Sequence, residues 1–390
     1  MASLCQNCGG PLIYDPIKER LFCKMCGTHF DVRDVDVKDR TEYEEQYMDC
    51  NIYVCDHCGG EIIVNDTEVS TYCIYCGNPA VVFSRVAKQR RPEFILPFSV
   101  SQEQAVKILQ MRIKAGFFVP YKIKHFKPES VRGIYIPYWI VNAEHYNASF
   151  LSGIVTNDND NTETMYFERT GKATFKNLLL DASKALNDYT SEKLEPFDLT
   201  ALQPFNEHYL AGFYSDMNDL TEQEIINAAN RRSDDMFRQA VVSEVHARNV
   251  RLIDSYPYTE INDDRVYVML PCWFITMQYN GEPLTVLING DTGKAVGTFP
   301  FDKKRFLSLT ILTAAVLSVA LSYALYHVIG YLIYSMNSDL ASDILQFLVY
   351  AFAGISAAVA GVINRLKRFR STLQLTKSSQ TLHYVRRRQG

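Results

Sequence analysis

The 390-residue sequence lacks the short motifs that mark the commonest catalytic sites. It has no phosphate-binding loop, no zinc-protease helix motif, no nucleophile elbow and no dinucleotide-binding fingerprint. Four histidines are scattered through the middle of the chain, and the sequence alone does not bring them together: His125, His145, His208 and His246. These absences favour a protein that is not an enzyme. An enzyme with a site between two folded modules stays open as an alternative.

A secretory signal is also missing from the start of the sequence. Residues 1–11 contain cysteines and polar side chains where a signal peptide needs an apolar segment. We therefore disfavour disulfide bonds as the role of the cysteines, because disulfides belong to oxidising compartments. A redox-active cysteine pair is a second alternative, but no part of the sequence resembles a thioredoxin-like unit.

Ten cysteines are present, and eight of them repeat one spacing twice. The spacing, C-x2-C-x14-C-x2-C, predicts four thiolates around one tetrahedral Zn²⁺ in each copy. Glycines after the C-x-x-C pairs supply the tight turns, and strand-like runs lie between them, so each copy predicts a β-hairpin zinc ribbon. Four thiolates complete a zinc shell, so both sites are predicted to be structural. The predicted ligands are Cys5, Cys8, Cys23, Cys26, Cys55, Cys58, Cys73 and Cys76.

Two histidines and two further cysteines lie outside this pattern. His29 and His57 are close to the cysteine pairs in sequence, but the complete four-cysteine shells predict that neither is a ligand. Cys50 and Cys272 are predicted to be buried, small apolar side chains.

Charge is distributed unevenly along the chain. Residues 1–80 contain 14 acidic and 6 basic side chains, whereas 364–390 contain eight basic and no acidic ones. Nucleic-acid binding by zinc ribbons needs lysine and arginine against phosphates, so an acidic pair of ribbons is a poor candidate for it. The basic C-terminal tail predicts attraction to anionic lipid headgroups.

Two uncharged stretches near the C-terminus predict a transmembrane helical hairpin. Residues 306–334 and 344–363 contain no Asp, Glu, Lys or Arg, and a bilayer crossing needs about 20 residues. The basic flanks predict a multi-pass protein of the cytoplasmic membrane with both termini in the cytoplasm. A stripe of small residues in the second stretch predicts close helix packing, either within the hairpin or in a homo-oligomer: Ala353, Ala357 and Gly361.

Residues 94–302 mix strand and helix patterns and predict an α+β body. Ser101 and Gln104 form a predicted capping box for a helix to about Lys114, and a second amphipathic helix is predicted from Thr221 to about Glu244. Asn280-Gly281 predicts a hairpin turn. A weak repeat, which includes both Pro-x-Trp sequences, is consistent with two related modules or with one continuous sheet.

The predicted fold class is therefore multi-domain: two zinc ribbons, an α+β body and a transmembrane hairpin. The predicted boundaries are 1–30 for ribbon 1, 31–50 for an acidic linker, 51–82 for ribbon 2, 83–93 for a basic linker, 94–190 and 191–302 for two α+β modules, 303–364 for the hairpin and 365–390 for the basic tail.

Several short motifs, together with the N-terminal ribbon, resemble those of a bacterial family of membrane proteins with TFIIB-type zinc ribbons. The chain differs from the single-ribbon pattern of that family in having a second ribbon. The matching motifs are Ile95-Leu96-Pro97-Phe98, Gly133-Ile134-Tyr135-Ile136-Pro137-Tyr138-Trp139, Tyr209-Leu210-Ala211-Gly212-Phe213, Leu270-Pro271-Cys272-Trp273 and Asn289-Gly290-Asp291-Thr292-Gly293-Lys294.

This resemblance implies a role beside phage-shock (PspA-like) and SPFH-domain proteins in envelope stress. The function we predict is a membrane-anchored zinc-ribbon adaptor that recruits a cytoplasmic protein partner. A membrane-tethered nucleic-acid-binding regulator is the alternative.

Overall fold

The computed structural model describes residues 4–35, 46–55, 61–63, 81–116, 118–126, 128, 130–156, 162–184, 186–280, 282–297, 299–300 and 302–335. These residues fall into two compact units. One lies within 1–109 and 127–297, and the other within 110–126 and 298–380.

Five α-helices are described, and two of them begin with the capping geometry typical of their sequences. The Ser101 N–H donates to the Gln104 side chain (2.8 Å), and the Gln104 N–H donates to Ser101 Oγ (3.3 Å), so the predicted capping box is confirmed. Thr221 and Glu224 make the same exchange at the start of the longer helix. The helices are α1 (Gln102–Ala115), α2 (Tyr121–Lys124), α3 (Asp188–Leu194), α4 (Glu222–Glu244) and α5 (Lys303–Ser335).

Strands dominate the first unit. The described strands are β1 (Leu12–Asp15), β2 (Arg20–Cys23), β3 (His29–Phe30), β4 (Tyr47–Cys55), β5 (Glu61–Ile63), β6 (Val81–Arg90), β7 (Phe94–Ile95), β8 (Ser130–Thr156), β9 (Thr162–Asp181), β10 (Gln203–Pro204), β11 (Tyr214–Ser215), β12 (Arg248–Ser255), β13 (Tyr258–Ile261), β14 (Val266–Tyr279), β15 (Glu282–Asn289) and β16 (Ala295–Val296). Strands β1–β3 form a separate small sheet, and the other thirteen form one large sheet. Strands β14 and β15 are joined at Asn280, as the hairpin prediction requires.

Strand β8 is the spine of the large sheet. The sheet order is β10-β7-β14-β8-β11-β5-β4-β6, with β9, β12 and β13 also pairing with β8. The first half of β8 pairs antiparallel with β14, from Ser130 opposite Thr276 to Ile140 opposite Val266. Strands from 94–190 and from 191–302 therefore pair with each other in a single sheet.

The large sheet also extends into segments that the sequence assigned to linkers. Strand β4 covers the end of the predicted acidic linker 31–50, and β6 covers most of the predicted basic linker 83–93. The two strands pair antiparallel along their length, from Tyr47 opposite Arg90 to Cys55 opposite Val81. The charge of these segments suggested linkers, whereas their backbones pair as strands.

Four aromatic side chains form a buried cluster where β8 and β14 meet. Phe98 stacks on Phe213 at 4.3 Å between ring centroids, and Tyr135 and Trp273 lie 5.1 and 4.9 Å from Phe98. The Trp273 indole N–H donates to the Val100 carbonyl (2.8 Å), which satisfies the only polar atom of that side chain. We call these four residues the aromatic cluster.

Two glycines make room for the aromatic cluster. A Cβ atom at Gly133 would lie 2.4 Å from the Phe213 ring, and one at Gly290 would lie 2.6 Å from the Phe98 ring. Side chains cannot be accommodated at such distances without moving the rings. All five short motifs quoted above therefore meet at this cluster, each supplying a ring or the space for one.

Helix α4 covers one face of the sheet where β8 pairs with β9 and β13, and a polar network is buried beneath it. His145 has no exposed surface; its Nδ1 is 2.8 Å from Thr259 Oγ1, and its Nε2 is 3.9 Å from Asp234 Oδ1. Asp234 also accepts hydrogen bonds from Asn147 (2.7 Å) and Arg238. Burial lowers the pKa of His145, and the Asp234 carboxylate only partly opposes this effect.

We expect the network under α4 to weaken the fold in acid. The unfolded chain binds a proton at His145 near pH 6.5, whereas the folded chain resists it, so stability falls as the pH drops through and below this value. The slope from one such group is at most about 1.4 kcal/mol per pH unit. Urea unfolding between pH 7.5 and 5 should show a smaller loss for His145→Gln than for the unchanged chain. His246→Gln, at an exposed histidine, is the control and should leave the loss unchanged.

The second unit contains α2 and the long helix α5. The Asp302 N–H donates to the Phe118 carbonyl (2.9 Å), and Phe118 and Phe306 pack edge to face at 5.1 Å. Asp302 also caps α5, because its carboxylate accepts the Arg305 N–H (3.1 Å).

The predicted transmembrane hairpin is wrong. Among the described residues, no helix combines the length and the apolarity needed to cross a bilayer. The first stretch, 306–334, lies in α5, and the second, 344–363, lies outside the described residues together with its small-residue stripe. The prediction counted missing charges, but an uncharged stretch can still carry hydroxyl groups and a histidine, as 306–334 does.

The predicted cellular location is wrong as well, because it was inferred from the hairpin. The multi-pass arrangement in the cytoplasmic membrane, with both termini in the cytoplasm, was inferred from the charges that flank the two stretches. Flanking charges carry information on orientation only where spans exist, so these charges no longer support that location.

Candidate metal centre

The first four-cysteine motif folds into two matching turns at one end of the β1–β3 sheet. The Gly9 N–H donates to the Cys5 carbonyl (2.8 Å), and the Gly27 N–H donates to the Cys23 carbonyl (2.9 Å). Gly9 and Gly27 have φ of +70° and +73°, and a Cβ at either would meet nothing within 4 Å. Glycine is therefore required here by backbone conformation and not by space.

These turns bring four sulfur atoms together. All four Sγ atoms of Cys5, Cys8, Cys23 and Cys26 lie within 4.8 Å of one another. The Cys5–Cys26 distance is 3.6 Å and the Cys8–Cys23 distance is 3.5 Å. A tetrahedron with Zn–S bonds of about 2.3 Å has sulfur–sulfur edges of about 3.8 Å, so the four cysteines fit a tetrahedral metal ion.

The environment of the sulfurs also suits a metal site. Cys5 and Cys23 are buried, whereas Cys8 and Cys26 are exposed. A hydrogen bond with the Thr28 hydroxyl (3.2 Å) lowers the pKa of Cys26 to about 6. The Gly10 amide lowers the pKa of Cys8, but hydrogen bonds with the Cys23 and Cys26 thiols outweigh it and raise the pKa to about 12. A metal ion binds the thiolate form, so it would displace the proton that Cys8 retains.

His29, which is near the motif in sequence, is not part of the sulfur cluster. Its ring packs on Phe22 at 4.8 Å between centroids, and its Nε2 lies 3.2 Å from Lys18 Nζ. The four sulfurs already complete a tetrahedral shell, so the structure gives His29 a packing role.

Only part of the second four-cysteine motif is described. Cys55 is fully buried at the end of β4, in the core of the large sheet. The other three predicted ligands, Cys58, Cys73 and Cys76, lie outside the described residues, as does His57. The two remaining cysteines, Cys50 and Cys272, are 4% and 0% exposed, and burial raises the pKa of Cys272 well above its usual value.

Ribbon 1 is held on the body by contacts that the cysteine spacing does not reveal. Tyr14, on β1, packs edge to face on Tyr209 at 5.3 Å, and its N–H donates to the Ala211 carbonyl (3.0 Å). Gly212 has φ of +85°, and a Cβ there would lie 3.1 Å from the Ile13 side chain. We call Tyr209 to Gly212 the ribbon seat.

The ribbon seat leads directly into the core of the body. Phe213, the next residue, belongs to the aromatic cluster. Tyr209 to Phe213 is one of the short motifs of the sequence. No sequence pattern predicted that this motif contacts Tyr14. The ribbon that contains the sulfur cluster and the body are thus joined through a few closely packed side chains.

Away from the ribbon, a cavity of about 280 Å³ lies beside Trp139. The Arg90 guanidinium lies 4.9 Å from the centre of the Trp139 ring, and the indole N–H donates to Asn218 Oδ1 (3.3 Å). Arg265 and Glu222, which also line the cavity, form an ion pair at 2.7 Å. Three charged side chains of this cavity are thus engaged: Arg90 with the indole ring, and Arg265 with Glu222.

Comparison with known proteins shows one clear relationship. The chain is 32% identical over 310 residues to the uncharacterized protein YdjG of Bacillus subtilis (strain 168), and the match covers 77% of this chain and 90% of the relative. No family model matches the chain, and no solved structure matches it significantly. The aligned length and identity place the two proteins together: the chain belongs to the same family as YdjG of Bacillus subtilis.

Proposed function

We propose that the protein is a zinc-ribbon adaptor, which recruits a protein partner through a ribbon fixed on an α+β body. The observation that carries this proposal is the sulfur cluster of Cys5, Cys8, Cys23 and Cys26. Four sulfurs use every position of a tetrahedral Zn²⁺, so no position remains for water or substrate. Such a site supports a fold and does not perform hydrolysis or other metal-assisted chemistry.

A second zinc completes the proposal. The motif at Cys55, Cys58, Cys73 and Cys76 repeats the spacing of the first, and the same chemistry applies to it. Zinc ribbons of this length are too small to fold without metal, so both ions would stabilise the chain as well as shape its surface.

The turns of ribbon 1 offer an apolar surface to a partner. Met25 lies in the second turn and is 75% exposed, and it covers Gly10 of the first turn. Leu4, just before the first turn, is 54% exposed. Exposed apolar side chains held on a rigid backbone are typical of contact surfaces, because little conformational entropy is lost on binding.

The ribbon seat supports the idea of an adaptor over that of a mobile tether. Contacts from Tyr14 and Ile13 to residues 209–212 fix the ribbon relative to the body, so a partner bound to the ribbon would be held in a defined orientation. The family resemblance names phage-shock (PspA-like) and SPFH-domain proteins as the candidates for that partner.

Matched substitutions at the two ends of ribbon 1 test the proposal. Met25→Glu changes the end with the cysteines, and Ile17→Glu changes the β1–β2 turn, where Ile17 is 67% exposed. Binding of each purified variant to purified PspA-like and SPFH-domain proteins is measured by biolayer interferometry, with zinc content as a check on the fold. We expect Met25→Glu to weaken binding at least ten-fold and Ile17→Glu to leave it unchanged.

Two results would count against the adaptor role. Equal binding by both variants would show that the surface near the cysteines is not used. Binding of DNA or RNA at low salt by the unchanged chain, with no binding of either protein candidate, would favour the nucleic-acid regulator instead.

A further inference from the structure

The region of the sheet under α4 has a second face, which carries exposed aromatic side chains. Helix α4 packs on the inner face through Phe237 and Val241, which contact Leu151 of β8. Residues of even number on β8 point to the outer face, because side chains alternate along a strand. The exposed aromatic residues there are Tyr146 (37%), Phe150 (38%), Tyr256 (63%) and Tyr258 (62%).

These aromatic residues are arranged as two similar groups. In the first, Tyr146 lies 6.3 Å from Tyr258 across β8 and β13, and its hydroxyl donates to Glu144 Oε2 (2.9 Å). The carboxylate stands two residues before the tyrosine on the same strand, so both side chains emerge on the same face. We call Glu144, Tyr146 and Tyr258 the first tyrosine–acid group.

The second group repeats this arrangement further along the sheet. Phe150 lies 6.4 Å from Tyr256, whose hydroxyl donates to Asp254 Oδ2 (2.8 Å). The carboxylate again stands two residues before the tyrosine. This hydrogen bond raises the pKa of Tyr256 and fixes the orientation of its ring. We call Asp254, Tyr256 and Phe150 the second tyrosine–acid group.

The first group already holds a cation. Lys172 of β9 stands opposite Tyr146, and its Nζ lies 5.1 Å from the centre of the Tyr146 ring and 2.8 Å from Glu144 Oε2. An ammonium group between an aromatic face and a carboxylate gains from both contacts. The hydrogen bond from Lys172 lowers the pKa of Glu144, as a carboxylate that holds an ammonium group should show.

The second group has no such cation among the described residues. The residue opposite Phe150 on β9 is Glu168, an exposed acid, where the first group has Lys172. No described lysine or arginine pairs with Asp254 or lies over Tyr256. This group therefore combines the chemistry that holds Lys172 in the first group with an additional negative charge.

We infer that the second tyrosine–acid group binds a lysine or arginine side chain of a partner protein, and that the outer face is a docking surface for a basic segment. Charge complementarity favours this occupant over a second copy of the chain, whose own outer face would present the same carboxylates. Nucleic acid is disfavoured for the same reason, because phosphates would meet Asp254 and Glu168.

This inference is independent of the metal centre. Asp254, Tyr256 and Phe150 are far in sequence from the ribbon, and neither their contacts nor the packing of α4 involves the sulfur cluster. Failure of the ribbon proposal would leave the docking surface intact, and failure of the docking surface would leave the adaptor role of the ribbon intact.

The test uses the full chain and a fluorescein-labelled peptide of six Lys-Ser repeats, with six Glu-Ser repeats as the charge-reversed control. Binding is followed by fluorescence anisotropy. We expect saturable binding of the lysine peptide only, weakened about three- to ten-fold by Asp254→Asn and by Tyr256→Ala. Tyr189→Ala removes another exposed tyrosine, one with Lys193 3.9 Å from its ring, and should not change binding.

Lys172→Ala provides a test in the opposite direction. It frees Glu144 and Tyr146 for the peptide, so affinity should rise about two- to three-fold, a result that loss of structure would not produce. Equal binding of both peptides, or binding unaffected by Asp254→Asn and Tyr256→Ala, would overturn the inference. Binding that appears only after removal of residues 364–390 would assign the surface to the chain's own basic tail instead.

Discussion

Replacing Phe98 by alanine is expected to lower the free energy of unfolding by about 3 to 5 kcal/mol. Phe98 is 1% exposed and contacts the other three rings of the aromatic cluster, so its removal leaves a cavity that neighbours cannot easily fill. The glycines at 133 and 290 would leave the cavity larger, because they have no side chains to move into it. Urea unfolding followed by far-ultraviolet circular dichroism measures the change.

Phe94→Ala is the matched control for this prediction. Phe94 lies four residues earlier on the same segment and is 36% exposed, and its strand β7 pairs with β14 only at its two residues. Its replacement should cost no more than about 1 kcal/mol. A similar loss in both variants would mean that the aromatic cluster does not contribute more than an ordinary surface ring.

Replacing Cys23 by serine is expected to remove one metal equivalent from each purified chain. Cys23 is fully buried and its sulfur lies 3.5 Å from that of Cys8, and among the described residues the cluster contains no fifth His, Cys, Asp or Glu to replace it. Structural zinc binding is worth about 10 to 16 kcal/mol in isolated zinc-binding peptides, so the variant should also lose the folded ribbon. Metal content is measured by plasma mass spectrometry.

Cys272→Ala is the control that separates loss of a metal ligand from loss of stability. Cys272 is as fully buried as Cys23 but lies in the core, on β14, away from the sulfur cluster. This variant should be less stable than the unchanged chain and yet retain all of its metal. Unchanged metal content in Cys23→Ser would refute the four-cysteine site.

The parts of this molecule that the sequence predicts best are held by short-range contacts. The turns at Cys5 and Cys23 are set by residues within five positions, and the capping boxes at Ser101 and Thr221 by residues within three. In each case the residues that form the sequence pattern are the same residues that make the contacts in the structure. The β1–β2 hairpin is also required to bring the four sulfurs together, and its contacts are local as well.

Contacts between distant residues could not be predicted in this way. Tyr14 contacts Tyr209, and β4 pairs with β6 in the large sheet, because of packing that only the folded chain creates. The same applies to the two tyrosine–acid groups, whose members come from β8 and from the β12–β13 region. The transmembrane hairpin was wrong for a different reason: the absence of charged residues in 306–334 was taken as sufficient evidence for a membrane span.

Strand β8 has a consequence for how two partners could share this protein. Its Gly133 lies beneath Phe213, next to the ribbon seat, whereas its Tyr146 lies on the outer aromatic face. Thirteen residues of extended chain span at most about 43 Å, since each adds about 3.3 Å. One continuous strand thus links the ribbon seat to the outer aromatic face, so the two partners proposed above would be held at a separation that the strand sets.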